Sequence, residues 1–224
     1  MTEPVRIGDA ELWLGDCLEI IPTLPKVDAV ITDPPYGVGF QYESHDDTNV
    51  GYADWCKRWF AMLGDVSDLI AISCGISNLQ DWAKPDWTLC WHKPASMGRC
   101  FVGFNNWEPV ILYGKPPKQI VDVFRATIVP DSSLDGHPCP KPLAWGTGLV
   151  ECLTTPQQTV LDPFLGSGTT GVAAVQLGRK FIGIERESKY FDIACRRIEQ
   201  AYAQRPLFEP APTPKPQQLG LEAA

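Results

Sequence analysis

What the chain lacks narrows its options first. Its eight cysteines, at positions 17, 56, 74, 90, 100, 139, 152 and 195, form no C-x-x-C pair and no cluster with histidine. The three histidines, His45, His92 and His137, share no metal-ligand spacing. That pattern gives neither a zinc site nor a disulfide framework, so no metal, free thiols and a reducing cytoplasm are expected. No run reaches the roughly eighteen apolar residues a membrane span needs, and Met1-Thr2-Glu3-Pro4 offers no apolar leader, so no membrane partner is expected. Internal repeats are missing too. Basic residues are scarce: 19 Lys and Arg against 27 Asp and Glu leave a net charge of −8, which excludes a general polyanion binder.

What is present fits one globular domain, with 224 residues, 44% of them hydrophobic and 21% charged. It is organised around Asp162-Pro163-Phe164-Leu165-Gly166-Ser167-Gly168-Thr169-Thr170-Gly171. Thr159 to Leu161 reads as the end of a buried strand and Thr169 to Leu177 as a helix, which places the glycines at a strand-to-helix turn. Nucleotide-like ligands dock at such turns. Glycine lets the backbone approach them, the helix start offers unpaired N–H groups, and an acid closing the next strand can take ribose hydroxyls. Lys180 to Ile184 is that next strand, and Glu185 closes it.

Gly166, Gly168 and Gly171 also spell the G-x-G-x-x-G of a dinucleotide site, with Glu185 about twenty residues on. A nicotinamide-binding unit normally opens its domain, however, and here only the helix expected over Ser188 to Gln204 and a tail follow. The sheet must therefore be built from earlier residues. Val27 to Thr32 is a β-branched run suited to a central parallel strand, and it leads into Asp33-Pro34-Pro35-Tyr36. Two prolines end the ladder and stiffen the exit, so the Asp33 carboxylate, the backbone carbonyls and the Tyr36 ring become a nearly fixed array.

Elsewhere Val5 to Ile7 and Glu11 to Leu14 suggest a hairpin, and Gly15-Asp16 a helix start with Asp16 at the N-cap and apolar residues as far as Leu24. Phe40 to Val50 reads as an acidic loop, Tyr52 to Val66 as an amphipathic helix, Leu69 to Cys74 as a strand and Ile76 to Ala83 as a short helix. Trp87 to His92 and Trp107 to Tyr113 read as strands joined by a loop over Lys93 to Asn106. Ile120 to Thr127 is strand-like, Val129 to Pro142 an irregular connector, and Leu143 to Leu153 a helix. Past Gln204 the prolines at 206, 210, 212, 214 and 216 leave little to bury, and residues 205–224 are expected to be a disordered tail. Local charge is uneven. Lys93, Arg99, Lys115, Lys118 and Arg125 outweigh Glu108 and Asp122, so any nucleic acid is expected on that stretch.

D-P-P-Y followed much later by D-P-F-x-G-S-G-T-T resembles the β class of DNA amino-methyltransferases, in which the catalytic half precedes the S-adenosyl-L-methionine half. The resemblance covers about residues 10 to 204. It implies a doubly wound, mostly parallel α/β sheet, Rossmann-like in circularly permuted order. One methyltransferase domain would span 1–204, with a catalytic half 10–127, a connector 128–142 and a cofactor half 143–204. It further implies that Phe164, Gly166, Ser167, Gly168 and Thr169 lie along the cofactor, with Asp162 near its amino-acid end and Glu185 on the ribose. Asp16, in G-D-C-L, matches the family's contact to the cofactor adenine, and Lys141-Pro142, in H-P-C-P-K-P, the segment flanking its methionine. Asp33, Pro34, Pro35 and Tyr36 are the implied catalytic tip, acting on a base flipped out of DNA, in a bacterial or phage-encoded protein of a restriction–modification setting.

An Asp before P-P-Y goes more often with adenine N6 than with cytosine N4 in that family, so adenine is favoured. The overall acidity and the want of a long target-recognition insertion leave room for a second copy of the chain in DNA contact. Gln204-Arg205-Pro206-Leu207-Phe208 loosely resembles peptides that dock on sliding clamps. A nicotinamide oxidoreductase and a non-catalytic DNA-binding subunit stand as readings of other classes. The first leaves D-P-P-Y unexplained, and the second has no need of Asp33 or the glycine turn.

Overall fold

The computed structural model describes residues 3–36, 51–94, 98–128 and 141–204. Strand β1 (Val5–Ile7) turns back antiparallel on β2 (Ala10–Leu14). The turn residue Gly8 has φ +56°, and a Cβ there would stand 2.6 Å from the ring of Tyr202. The central strands β3 (Ala29–Thr32), β4 (Ile70–Ser73) and β10 (Thr159–Asp162) are short and almost wholly buried, because both of their faces are covered. Around them run β11 (Lys180–Glu185), β8 (Trp107–Tyr113), β5 (Trp87–His92) and β9 (Val123–Arg125) in the order β1-β2-β11-β10-β3-β4-β8-β5-β9. The run from β2 to β4 is parallel, and β8 enters antiparallel between β4 and β5.

Helices cover both faces. Helices α3 (Leu143–Leu153), α4 (Thr169–Gln176) and α5 (Ser188–Ala203) pack Leu149, Val172 and Ile198 with Phe181 on one side. On the other lie α1 (Cys17–Ile20) and α2 (Tyr52–Val66), whose Trp59 and Leu63, four residues apart on one helical stripe, meet Ile182 and Ile184. Chain order reverses between β3, which proceeds outward to β4, and its neighbour β10, which proceeds the other way to β11. In open α/β sheets that reversal is where ligands bind, beyond the carboxyl ends of the strands.

Most expected elements stand where the sequence places them, and the differences have local causes. The helix expected to run from Asp16 to Leu24 stops at Ile20 and tightens into a 3-10 turn, Ile21–Thr23, that carries Pro22. The helix expected over Ile76 to Ala83 is only a 3-10 turn, Leu79–Asp81. The loop expected over Lys93 to Asn106 instead holds a hairpin, β6 (Gly98–Cys100) against β7 (Gly103–Asn105), with Gly103 at φ +130° permitting the return. The loop assigned to Phe40–Val50, the connector from 129 to 140 and the tail from 205 lie outside the described residues. Among the described residues no helix is long and apolar enough to cross a membrane.

Candidate active site

Strands β3 and β10 are adjacent and parallel, with Ala29 beside Val160 and Val30 beside Leu161, so the D-P-P-Y tip and the glycine turn leave the same edge side by side. A hydrogen bond joins them: Thr32 Oγ1 donates to Asp162 Oδ1 at 2.7 Å across 130 positions of sequence. Asp162 is 3% exposed and also accepts from the Phe164 N–H at 3.1 Å. Burial pushes its carboxyl up to about 6, against the pull of the Thr32 and Thr170 hydroxyls and the Phe164 N–H. Asp162 thus sits at the joint between the two motifs.

The tip is held from several sides. Tyr52 donates its hydroxyl to the Pro35 carbonyl at 2.8 Å, and the Asn78 amide donates to the Tyr36 carbonyl. The Tyr36 hydroxyl donates to Asp33 Oδ1 at 2.6 Å, and Ser73 Oγ lies 3.0 Å from that hydroxyl. Burial, then the charges of Asp33 and Glu108, raises the Tyr36 phenol well above its ordinary value, so it stays a donor. Its ring lies against Gly75, where a Cβ would be 3.2 Å from the ring edge. The Tyr36 ring is therefore tethered through its hydroxyl to Asp33.

Lys141 completes this arrangement from a distant segment. Its ammonium lies 2.6 Å from Asp33 Oδ2, 3.2 Å from the Tyr36 hydroxyl and 3.9 Å from Glu108 Oε2. It also stands over the rings of Tyr36 and Trp91, 5.0 and 5.8 Å from their centroids. The Lys141 carbonyl meanwhile accepts from Thr169 Oγ1 at 3.1 Å. The segment that the resemblance set beside the cofactor thus touches the glycine turn through its backbone and the D-P-P-Y tip through its side chain. Pro142 follows as the residue that opens α3.

The glycine turn is built from backbone and missing side chains. Gly166, at φ +53°, donates its N–H to Glu185 Oε2 at 2.7 Å, while Glu185 Oε1 accepts from the N–H groups of Arg186 and Glu187 at 2.9 and 2.8 Å. Burial raises the Glu185 carboxyl, and those three donors oppose the rise. Gly168, at φ +83°, opens α4, and a Cβ on it would stand 3.0 Å from the Ala194 methyl. On Gly171 a Cβ would stand 2.6 Å from Ile198 and 2.7 Å from Phe181. Two of the three fingerprint glycines are thus needed for packing α4 against α5 and the sheet. Arg197 of α5 donates to the Ser167 carbonyl and, at 3.1 Å, to its hydroxyl. Phe164 packs between Trp55 and Trp59, with centroids 5.4 and 4.9 Å away. Asp16 caps α1 by accepting from Leu18 N–H at 2.9 Å, and Gly15 N–H donates to the Glu185 carbonyl, so Asp16 shares an edge with Glu185.

The residues of the basic stretch do not share one surface. Lys93 is 5% exposed, ion-paired with Glu108 and seated over Trp91. Lys115 and Lys118 follow β8, whose last residue pairs with the first of β4, and so they lie at the edge opposite Asp33. Consistent with this, the Lys118 charge opposes the burial that raises the thiol of Cys152, at the far end of α3. Arg125, exposed and paired in register with His92, is on the same edge as Asp33. Arg99 has its backbone in β6, and its side chain is outside the described residues. Sequence reasoning assigned no site role to Glu108, Ser73, Arg197 or Thr32. Glu108 carried a usable signal, since an acid beginning an otherwise apolar strand, W-E-P-V-I-L-Y, needs a partner.

Comparison with known proteins agrees with this geometry. The DNA methylase family model for N6 and N4 amino-methyltransferases matches residues 107–196. The chain is 31% identical over 205 residues to a putative methylase, YubD, of Escherichia coli (strain K12), covering 82% of this chain and 88% of that one. It is 26% identical over 245 residues to the type II methyltransferase M.HinfI of Haemophilus influenzae, covering 83% and 67%. Among solved structures, the M1.HpyAVI–SAM complex matches with TM-score 0.65 and 28% identity over 84% of this chain and 98% of that one. The cytosine-N4-specific PvuII DNA methyltransferase shares the fold with TM-score 0.71 at 16% identity, over 90% and 94%.

The fold and the shared edge define a Rossmann-like methyltransferase. With the relation to YubD extending over most of both proteins, the chain belongs to the N6/N4 DNA methylase family.

Proposed function

We propose that the protein transfers the methyl group of S-adenosyl-L-methionine to an exocyclic amino group of a DNA base, with adenine N6 favoured over cytosine N4. The observation that carries this reading is the Thr32–Asp162 bond between adjacent parallel strands, which sets a carboxylate-bearing tip and a glycine turn on one edge. The residues present fit the cofactor. A carboxylate has about four acceptor positions, and three at Glu185 are filled by backbone N–H groups, leaving one on Oε2 for a ribose hydroxyl. Asp16 would face the adenine end, Phe164 would supply an apolar wall, and Asp162 would lie toward the amino-acid end, with Gly166, Ser167, Gly168 and Thr169 forming the turn beneath. The M1.HpyAVI relative is named as a complex with this cofactor, which supports the choice.

When bound, the cofactor supplies a methyl group activated by a positively charged sulfur. The remaining work falls to the chain. An exocyclic amine is a poor nucleophile because its lone pair is delocalised into the ring. Asp33 and the Pro34 carbonyl would accept its hydrogens and so localise that lone pair, with proton loss to Asp33 or water. Fixing the acceptor on a proline-stiffened tip supplies orientation. The target amine is out of reach inside a duplex, so the base must rotate out, and the Tyr36 ring offers it an aromatic face. The preference for adenine rests on Asp33 preceding P-P-Y.

Incubation with tritium-labelled cofactor and mixed DNA, followed by nucleoside analysis, tests both parts. Label in N6-methyladenine is the expected result. Label in N4-methylcytosine would reverse the base preference. Cofactor binding without any label in DNA would remove the activity.

A further inference from the structure

We infer that Glu108 is a positioning residue for the proposed methyl transfer: it offers the Lys141 ammonium a second seat, so that Lys141 can leave Asp33 when the target amine arrives. Both oxygens of Asp33 are engaged in the described state, Oδ1 by the Tyr36 hydroxyl at 2.6 Å and Oδ2 by Lys141 at 2.6 Å. An amine that is to be held by Asp33 must displace one of them. Displacing a half-buried ammonium from its carboxylate is costly unless another anion receives it. Glu108 meets that need. Its Oε1 is paired with Lys93, whereas its Oε2 is buried, has no hydrogen-bond partner among the described residues, and lies 3.9 Å from Lys141 Nζ.

A shift of about 1 Å would bring that ammonium from 3.9 Å to the roughly 2.8 Å of a charge-assisted hydrogen bond. The four groups form an alternating line, Lys93, Glu108, Lys141, Asp33, in which Lys93 fixes Glu108 and leaves one carboxylate oxygen free to receive. Lys141 lies over the rings of Tyr36 and Trp91, so it keeps an aromatic surface beneath it on that path. No covalent step is involved; one ion pair is exchanged for another. Lys141 thereby holds Asp33 oriented without a substrate, and yields the seat when one is present.

The inference rests on the methyl-transfer reading, and two measurements separate the fates of the two. The first is the crystal structure of Asp33→Ala, which needs no activity: Lys141 Nζ should move to within hydrogen-bond distance of Glu108 Oε2. An ammonium that stays near 3.9 Å or turns to solvent overturns the inference whatever the protein does to DNA. The second is single-turnover methylation at saturating cofactor. Glu108→Gln should slow it by roughly tenfold or more while cofactor binding, measured by calorimetry, is unchanged. In the Glu108→Gln/Lys141→Met double variant the glutamine should add nothing to the effect of Lys141→Met alone, because no ammonium remains to be received. Multiplying effects would mean that Glu108 serves only as packing, and the inference fails. A wild-type protein that binds cofactor and labels no DNA removes the methyl-transfer reading, and the Asp33→Ala structure still decides the seat.

Discussion

The two halves of the catalytic edge are held by opposite means. On the glycine-turn side the fixing contacts come from the backbone and from side chains that are missing: N–H groups on Glu185, and Gly168 and Gly171 admitting α5 and the sheet where a Cβ would collide. On the D-P-P-Y side they come from charged and hydroxylic side chains, Tyr36 on Asp33 within the tip and the others from remote segments: Lys141 on Asp33, Lys93 on Glu108, Tyr52 on the Pro35 carbonyl. The first kind of contact leaves the turn little room to shift. The second has alternative partners within an ångström or so, and so can exchange them during a reaction. A methyl transfer needs both, a fixed seat for the donor and a responsive one for the acceptor.

The largest expected effect isolates the responsive side. Asp33→Ala should lower methyl transfer by about 10³-fold or more, while cofactor binding stays within a few-fold of wild type. Radiolabel transfer and calorimetry on one preparation check this. Unchanged turnover would show that Asp33 has no part in the chemistry, and lost cofactor binding would show that the two sides are not separable.

Asp162 belongs to both sides, and its titration measures how tightly they are joined. Its carboxyl titrates near 6 when folded against an ordinary 3.8, so between those values the folded protein keeps a proton that the unfolded chain has released. Stability contributed by this group is therefore full below about pH 4, falls as pH rises toward 6, and is level above. The drop is up to about 3 kcal/mol. Asp162→Asn, which keeps an acceptor for Thr32, should flatten the difference, as urea melts of the two proteins from pH 4 to 7 would reveal. Parallel curves would mean that the carboxylate is hydrated and the joint is open.

On the rigid side a single carbon should suffice. Gly171→Ala sets a methyl 2.6 Å from Ile198 and 2.7 Å from Phe181, and overpacking of this kind costs about 1–3 kcal/mol. Gly64→Ala in α2 meets nothing within 4 Å and should instead stabilise by about 0.5–1 kcal/mol. Thermal melts that fail to separate the two variants in sign would show that α4 is not confined as the contacts indicate.

The same division explains what the sequence disclosed. The strands ending at Asp33 and Asp162, the turn and the acid at Glu185 were legible because each rests on a pattern a few residues long: a β-branched run, two prolines, spaced glycines. Helix α2 was legible for the same reason, Trp59 and Leu63 sharing one stripe. The partners of Asp33 were not, because Lys141 reaches it only after the chain has passed around the sheet. A charge count does not say that Lys93 is buried beside Glu108, nor at which end of β8 Lys115 and Lys118 emerge. The β6–β7 hairpin was read as a loop because two three-residue strands are too short to show alternation.

The smallest effect concerns the DNA surface and asks whether the responsive side is also the one that meets the nucleic acid. Arg125 is exposed on the catalytic edge, and Lys118 is exposed on the opposite one. If DNA lies across the catalytic edge, Arg125→Ala removes a phosphate contact: affinity falls a few-fold, and the slope of log affinity against log salt drops by about 1. Lys118→Ala should leave both quantities unchanged, although it alters the net charge equally. Fluorescence anisotropy with one duplex across a salt series compares them directly. Equal losses for the two variants would mean that the protein responds to overall charge rather than to a docked edge, and a loss confined to Lys118→Ala would put the DNA on the far side of the sheet, away from Asp33.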